Sequence, residues 1–296
     1  MLLVYGSYGY TGNLIVREAR ARGLSVLLAG RDRARLEEQG EATGFDWRVF
    51  SLGKPDLSGV TAVLHCAGPF VHTAAPMVDA CLDAGVHYLD ITGEVAVFEA
   101  VALRDAEAKA RRVGLLPGVG FDVVPSDCLA AHVASRLPGA DRLIIGIAAR
   151  GGLSHGTAST ALTFLDRPGL VRRDGRLEDV PIAWSIRGFD FDGRERTGAT
   201  LPLGDVSTAF RSTGIPNIEV YGMAPQWLLN AWRWTSWTVP ALRLAPVRRY
   251  LQARIDAGSP GPTDEERGRG WAQVVQARAS LPPCYRPGMR WSGRHG

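Results

Sequence analysis

A glycine-rich turn near the start of the chain carries the clearest chemical signal. It lies between a strand-like run, Leu2–Tyr5, and a helical pattern, and it consists of Gly6, Ser7, Tyr8, Gly9, Tyr10, Thr11 and Gly12. Glycines in such a turn let the backbone approach a pyrophosphate, and the following helix presents unpaired N–H groups to the phosphates. The spacing is GxxGxxG rather than GxGxxG, so an ordinary glycine-rich turn is the alternative. Because a strand–helix–strand rhythm follows, these residues are predicted to bind a dinucleotide.

The end of the second predicted strand bears on the choice of cofactor. It reads Ala29-Gly30-Arg31-Asp32. An acidic residue at this place holds the ribose 2′-hydroxyl of NAD, whereas an arginine accommodates the 2′-phosphate of NADP. Arg31 comes first and its planar guanidinium suits a phosphate, so we expect NADP, with NAD as the alternative. Asp32 precedes a helical pattern, and capping that helix is its competing role.

Small residues follow the fourth predicted strand, where a dinucleotide would cross the edge of the sheet. We expect cofactor contacts from Ala67, Gly68, Pro69 and Phe70, with an ordinary turn as the alternative. Glu94 follows the fifth predicted strand at the same edge. It is expected to contact the nicotinamide ribose, and a structural hydrogen bond is the competing role.

Hydride transfer requires little from a protein beyond orientation and a proton source. Asp122 follows the sixth predicted strand and is expected to orient substrate or relay a proton, unless it only satisfies loop amides, while Asp127 caps the next helix. His155, in a glycine-rich turn, is a candidate acid or a plain surface histidine. Asp205 and Arg211 complete the candidate set. Arg211 would bind a substrate carboxylate or phosphate, and strand-edge packing is the competing account of its segment.

The elements that must position these residues alternate over the first 130 or so positions. Predicted strands fall at 2–5, 25–29, 47–50, 62–66, 88–91 and 114–116, and predicted helices at 13–22, 33–41, 74–84 and 97–112. This alternation predicts an α/β fold, a Rossmann-type doubly wound parallel sheet over residues 1–137. The rhythm then changes, and residues 138–277 are predicted to form a second, α+β domain with a strand at Arg142–Ala149, a helix at 157–165 and alternating segments over 182–221.

A tryptophan-rich helical stretch lies within this second domain, at 225–254. Four indoles, Trp227, Trp232, Trp234 and Trp237, fall on more than one face of it, so the helix must be buried twice. Core or dimer packing is one account, and we expect a homodimer. In the other account, this helix lines an apolar channel for an acyl or isoprenoid chain, or lies on a lipid surface.

The last residues, 278–296, differ from the rest. They are rich in Pro, Gly and Arg and show no apolar periodicity. A truncated or frame-shifted end is expected here, and a natural basic tail is the alternative.

Composition narrows the class of protein. Apolar residues make up 46% and charged residues 22%, as in ordinary globular domains. The net charge is +4, and the basic residues are scattered along the sequence rather than clustered. This distribution does not favour nucleic acid binding. The four cysteines show no metal-binding spacing and are expected to be buried thiols, so no metal is predicted. No secretory signal or long apolar run is visible, so a cytoplasmic protein without a transmembrane segment is expected.

Several segments together resemble the saccharopine dehydrogenase-like family, and more narrowly its bacterial branch that includes the trans-acting enoyl reductases. They are GSYGYTG at 6–12, HCAGPF at 65–70, ACLDAGVHYLDITGE at 80–94, GVGFDVVPSD at 118–127, GGLSHGT at 151–157, LGD at 203–205 and STGIPN at 212–217. The resemblance implies an NAD(P)-binding Rossmann domain joined to an α+β substrate domain, with hydride transfer in the cleft between them. It fixes no substrate.

Two functions follow from these expectations. The first is an NADPH-dependent reductase of a C=C or C=N bond in a small molecule, which would be lipid-like if the tryptophan-rich helix walls an apolar channel. The second is a nucleotide-sensing or scaffolding protein that keeps the Rossmann domain without chemistry. A semialdehyde-type reductase needs a reactive mid-chain cysteine, and Cys128 lies in a predicted helix instead.

Overall fold

The computed structural model describes residues 1–149, 168–181, 183–191, 193–223, 246–247, 249–250, 253 and 271–279. Several expectations lie outside these residues. They concern His155, the helix at 157–165, the tryptophans of 225–240 and the tail beyond 279.

The first domain is built on a six-stranded parallel sheet in the order β3-β2-β1-β4-β5-β6. Its strands are β1 Leu2–Tyr5, β2 Val26–Gly30, β3 Trp47–Val49, β4 Ala62–His65, β5 His87–Asp90 and β6 Leu115–Leu116. The order reverses between β1 and β4, so the carboxyl ends of these two strands open a crevice where ligands of such sheets bind.

Helices cover both faces of this sheet. They are α1 Tyr10–Ala21, α2 Arg33–Thr43, α3 Phe70–Ala84, α4 Val95–Ala102 and α5 Asp105–Arg111. Val16 of α1 and Leu36 of α2 pack against one face, while Met77 of α3 and Val97 of α4 pack against the other. The predicted doubly wound Rossmann-type sheet is confirmed.

A second sheet is mainly antiparallel, as the α+β prediction required. Its described strands are β7 Arg142–Ala149, β8 Gly169–Arg173, β9 Arg176–Val180, β10 Ile186–Phe191, β11 Arg194–Thr200, β12 Asn217–Met223 and β13 Trp271–Arg278. Only β7 and β12 pair in parallel among them. Two helices, α6 Val124–Arg136 and α7 Asp205–Thr213, pack on one face of this sheet through Ala130 and Ala209. The domain boundary at residue 137 stays a prediction, although α6 packs with the second sheet.

The structure corrects four expectations drawn from the sequence. The segment that begins at Asp205 is a helix, so strand-edge packing is wrong for it. The predicted helix over 97–112 is two helices, interrupted at Arg104, whose guanidinium pairs with Asp79 and Glu107. Asp127 does not cap α6, because that helix begins three residues earlier. Cys128 is exposed rather than buried, since α6 turns Ala130 toward the core.

The described residues contain no helix long and apolar enough to cross a membrane. They also contain no cluster of three or more side chains suited to hold a metal ion.

Candidate active site

The glycine turn is packed so tightly that two of its positions admit no side chain. Gly6 has a φ of 79°, in the left-handed region, and a Cβ there would lie 2.9 Å from the Cβ of Ala67. A Cβ on Gly12 would lie 2.3 Å from the carbonyl oxygen of Gly6. The backbone therefore forms a bare cradle at the start of α1, which fits the close approach of a dinucleotide phosphate.

Ser7 holds the shape of this turn rather than facing solvent. Its hydroxyl donates to the side-chain oxygen of Gln39 at 2.7 Å, and the Gln39 amide returns a hydrogen bond to the Ser7 carbonyl at 2.9 Å. The same amide donates to Asn13 at 2.6 Å, which links α2 to α1. Ser7 is thus a buried structural residue of the turn.

Tyr8 connects the turn to the end of β2. Its phenol oxygen accepts hydrogen bonds from the backbone amides of Arg31 and Asp32, both at 3.2 Å. The Arg35 guanidinium lies 4.6 Å from the ring centroid of Tyr8 and donates to its carbonyl at 2.9 Å. Asp32 caps α2 by accepting from the Arg35 amide, as its competing role predicted. Arg35 was not predicted from the sequence.

The loop after β4 lies next to the glycine turn and is fixed by Glu94. This loop, from Ala67 to Phe70, contains a cis peptide bond before Pro69. The two Glu94 carboxylate oxygens accept hydrogen bonds from the amides of Phe70 and Val71 at 2.9 and 3.0 Å. Glu94 is buried and accepts hydrogen bonds from the first amides of α3. This is the structural role that the sequence predicted as the alternative to a cofactor contact.

The end of β5 is organised by a buried carboxylate, Asp90. It accepts hydrogen bonds from the Tyr88 hydroxyl at 2.7 Å, from the Thr92 amide at 2.9 Å and from the Gly118 amide at 2.8 Å. These contacts tie the loop after β5 to the loop after β6. Burial raises the pKa of Asp90, and the three hydrogen bonds oppose that rise.

Asp122 and Asp205 lie near each other where the two domains meet. A Cβ on Gly93 would lie 3.8 Å from the Asp122 carboxylate, which places Asp122 beside the loop after β5. Desolvation by the surrounding protein raises the pKa of Asp122, although the residue as a whole is exposed. Burial raises the pKa of Asp205 to about 7, and the carboxylates of Asp127 and Asp122 add to that rise.

Asp205 is unusual because it is 0% exposed and neither of its carboxyl oxygens has a hydrogen-bond partner in the described part of the chain. Ser126 lies near it, but that hydroxyl donates to the Val123 carbonyl at 2.9 Å. One Asp127 oxygen accepts from Ser212 of α7. The structure thus brings together two of the predicted catalytic residues, Asp122 and Asp205.

Arg211 lies apart from this pair and is half exposed. Its guanidinium is 3.5 Å from Glu99 of α4. Glu99 also accepts hydrogen bonds from Arg172 of β8 at 3.0 Å and from the Ser207 hydroxyl. Glu99 and Arg172 were not singled out in the sequence, because ion pairs between distant segments leave no local pattern.

A second feature that the sequence did not reveal is His65, the last residue of β4. It is fully buried among Tyr5, Phe70 and Tyr88, with ring centroids 5.4, 5.4 and 6.3 Å away. Neither ring nitrogen has a hydrogen-bond partner among the described residues. Burial lowers the pKa of His65 to about 4, so the imidazole is neutral at physiological pH.

Residues 2–116 match the family model of the saccharopine dehydrogenase NADP binding domain. Over these residues the chain is similar to saccharopine dehydrogenase NADP-binding domains. The matched residues include the glycine cradle and the crevice beside it.

Similar proteins are found among curated proteins and solved structures. A human saccharopine dehydrogenase-like oxidoreductase is 27% identical over 168 residues, which span 47% of this chain and 38% of the relative. A trans-acting enoyl reductase of Mycobacterium leprae is 30% identical over 142 residues, which span 43% and 33%. The chain thus aligns with less than half the length of these relatives.

The fold of both domains is matched by a solved structure. Saccharopine dehydrogenase (L-Glu forming) of Saccharomyces cerevisiae superposes with a TM-score of 0.60 and 13% sequence identity, over 90% of this chain and 69% of that protein. This likeness supports the two-domain architecture.

Proposed function

We propose that the protein is an NADPH-dependent oxidoreductase that reduces a C=C or C=N bond of an apolar substrate. One observation carries the proposal. A continuous path of contacts runs along the carboxyl edge of the first sheet, from Gly6 against Ala67, through Glu94 and the start of α3, to Gly93 beside Asp122. The cradle suited to phosphate and the carboxyl group suited to proton transfer therefore lie on one edge.

The assignment of a cofactor follows from the residues of that edge. The bare backbone of Gly6, Gly9 and Gly12 would hold the pyrophosphate, and the loop from Ala67 to Phe70 would lie against the dinucleotide. Bound NADPH would supply a hydride to one atom of the double bond. The task left to the protein is to orient the substrate and to give a proton to the other atom.

Asp122 is the proton donor in this proposal. Its raised pKa keeps a larger fraction of the carboxyl protonated near neutral pH than for an ordinary aspartate. Asp205 acts behind it as a buried carboxyl whose proton is retained up to a pH of about 7. When Asp122 gives up its proton, its negative charge raises the pKa of Asp205, so Asp205 keeps its proton more firmly.

The surroundings of Asp122 support an apolar substrate. Phe121 is 53% exposed and Val124 is 42% exposed, so two large apolar side chains within two residues of Asp122 in sequence face solvent. Exposed apolar side chains beside a polar reactive group are typical of sites that bind apolar ligands. Arg211 lies apart from Asp122, but its side chain is 50% exposed, so N–H donors beyond its ion pair with Glu99 would be available to a distant anionic group of the substrate.

The test is NADPH oxidation by the full chain with enoyl thioesters of increasing acyl length and with small amino-acid imines. We expect turnover with the longer enoyl thioesters and a loss of at least about a hundredfold in kcat for Asp122→Asn, the usual size of a lost proton donor. Asp46→Asn, which lies at the opposite edge of the sheet before β3, is the control. NADPH binding without turnover of either substrate class would favour the sensing or scaffolding role instead.

A further inference from the structure

The Tyr8 side chain fills the corner between the glycine turn and the end of β2. A Cβ on Gly30 would lie 2.5 Å from the ring of Tyr8, so the ring packs directly on the backbone of that glycine. Its phenol oxygen is fixed by the Arg31 and Asp32 amides. The ring is therefore a rigid platform at the place where a dinucleotide presents its adenosine ribose.

One guanidinium is held on this platform. Arg35 lies over the Tyr8 ring at 4.6 Å and donates one hydrogen bond to the Tyr8 carbonyl. A guanidinium has five N–H donors in a planar fork, so the others of Arg35 remain for a ligand. Arg35 is exposed, so a ligand can reach it.

The two neighbouring arginines are held differently. The Arg33 guanidinium lies 5.4 Å from the ring of Trp47, on β3, and so belongs to another part of the surface. Within the described chain, no hydrogen bond or ion pair restrains the Arg31 guanidinium, which is exposed. A side chain already restrained in place loses less conformational entropy on binding than a free one, so Arg35 is better prepared to bind an anion than Arg31.

We propose that Arg35, positioned by Tyr8, is the residue that recognises the ribose 2′-phosphate of NADPH, and that Arg31 contributes less. This inference rests on the proposed use of NADPH. It changes the expectation drawn from the sequence, which gave that role to Arg31. The order of residues after β2 favoured Arg31, whereas the three-dimensional arrangement places Arg35 on the Tyr8 platform.

The experiment compares two ligands that differ only in the phosphate in question. Isothermal calorimetry of the full chain with 2′,5′-ADP and with 5′-AMP measures the contribution of the 2′-phosphate without any redox reaction. For Arg35→Gln we expect the affinity for 2′,5′-ADP to fall at least about tenfold, as for a lost charge-assisted hydrogen bond, with 5′-AMP affected less than about twofold.

Two matched variants remove the same charge nearby. Arg31→Gln and Arg33→Gln should each lower the affinity for 2′,5′-ADP by less than about threefold, because a nearby exposed charge without a direct contact acts weakly in water. The role of Tyr8 is tested by a double-mutant cycle with Tyr8→Leu. The measured quantity is the affinity for 2′,5′-ADP divided by the affinity for 5′-AMP. If Tyr8 acts through Arg35, Tyr8→Leu should lower this ratio when Arg35 is present and leave it nearly unchanged when Arg35 is already replaced by Gln.

This inference is overturned if the Arg35→Gln variant still prefers 2′,5′-ADP to 5′-AMP, or if Arg31→Gln alone abolishes that preference. Either result leaves the proposed use of NADPH intact. Additive effects of Tyr8→Leu and Arg35→Gln on that ratio overturn the positioning role of Tyr8. An unaltered chain that binds 5′-AMP and 2′,5′-ADP equally well overturns the inference together with the proposed preference for NADPH.

Discussion

The Glu99 carboxylate of the first domain accepts a hydrogen bond from the Arg172 guanidinium of the second domain at 3.0 Å. The Arg172 side chain is 5% exposed, and it also donates to the carbonyls of Val206 and Gly175. Its guanidinium lies 4.4 Å from the ring of Phe210. A buried charge with this many contacts ties α4 to β8 and α7, and Glu99 is the group that neutralises it.

Glu99→Gln should lower the free energy of unfolding by about 2–4 kcal/mol, because Arg172 keeps its buried charge and loses its counterion. Urea denaturation of the full chain measures this. Glu178→Gln is the control, since Glu178 pairs with Arg173 on the surface and its loss should cost less than about 1 kcal/mol. Equal effects of the two substitutions would contradict a structural role for Glu99.

Gly12→Ala should disrupt the cradle for the cofactor. The added methyl group would lie 2.3 Å from the Gly6 carbonyl oxygen, so the backbone must shift. We expect a loss of about 1–3 kcal/mol in stability and at least about tenfold in NADPH affinity. Gly53→Ala is the matched control, because a Cβ there meets nothing within 4 Å. NADPH affinity that is insensitive to Gly12→Ala would place the phosphates elsewhere.

The sequence predicted the first domain well because its signals are local. Alternating strand and helix patterns and a glycine turn directly after β1 determine the parallel sheet and its crevice. The start of α3 was predicted four residues too late. Its first turn depends on Glu94, which lies 24 residues beyond Phe70 in the chain, and such a long-range cap has no local signature.

Signals for the second domain were present but weaker. Val206, Ala209 and Phe210 have the spacing of a helix face, and α7 could have been predicted from them. The hairpin of β8 and β9 turns at Asp174-Gly175, both with positive φ, and Asp-Gly is a strong hairpin signal. The pairing of Arg35 with Tyr8, in contrast, becomes visible only when α2 is placed beside the glycine turn.

His65 should make the protein less stable in acid. Its pKa is about 4 in the folded chain and 6.5 as an ordinary histidine, so the unfolded state binds more protons between these values. The stability it contributes is complete above pH 6.5 and is lost as the pH falls toward 4, by about 3 kcal/mol in total. Unfolding free energies of the unaltered chain and His65→Leu should diverge over this range, and parallel curves would contradict the buried neutral imidazole.

Asp205 should make the protein less stable as the pH rises toward neutral. Its pKa is about 7 when folded and 3.8 for an ordinary aspartate, so the folded state binds more protons between these values. Stability is therefore lost as the pH rises from about 4 to 7, by on the order of 4 kcal/mol. Asp205→Asn should remove this loss, because the amide does not ionise. The free energy of unfolding of this variant, minus that of the unaltered chain, should therefore increase as the pH rises. A difference that does not change with pH would mean that Asp205 ionises normally.

Binding of the nicotinamide cofactor is the most direct test of the account. Titration of the full chain with NADPH and with NADH, followed by nicotinamide fluorescence, measures it without a known substrate. We expect NADPH to bind at least about tenfold more tightly than NADH, because the 2′-phosphate gains a charge-assisted contact at the end of β2. Equal affinities, or no binding of either dinucleotide, would contradict the proposal that this chain is an NADPH-dependent oxidoreductase.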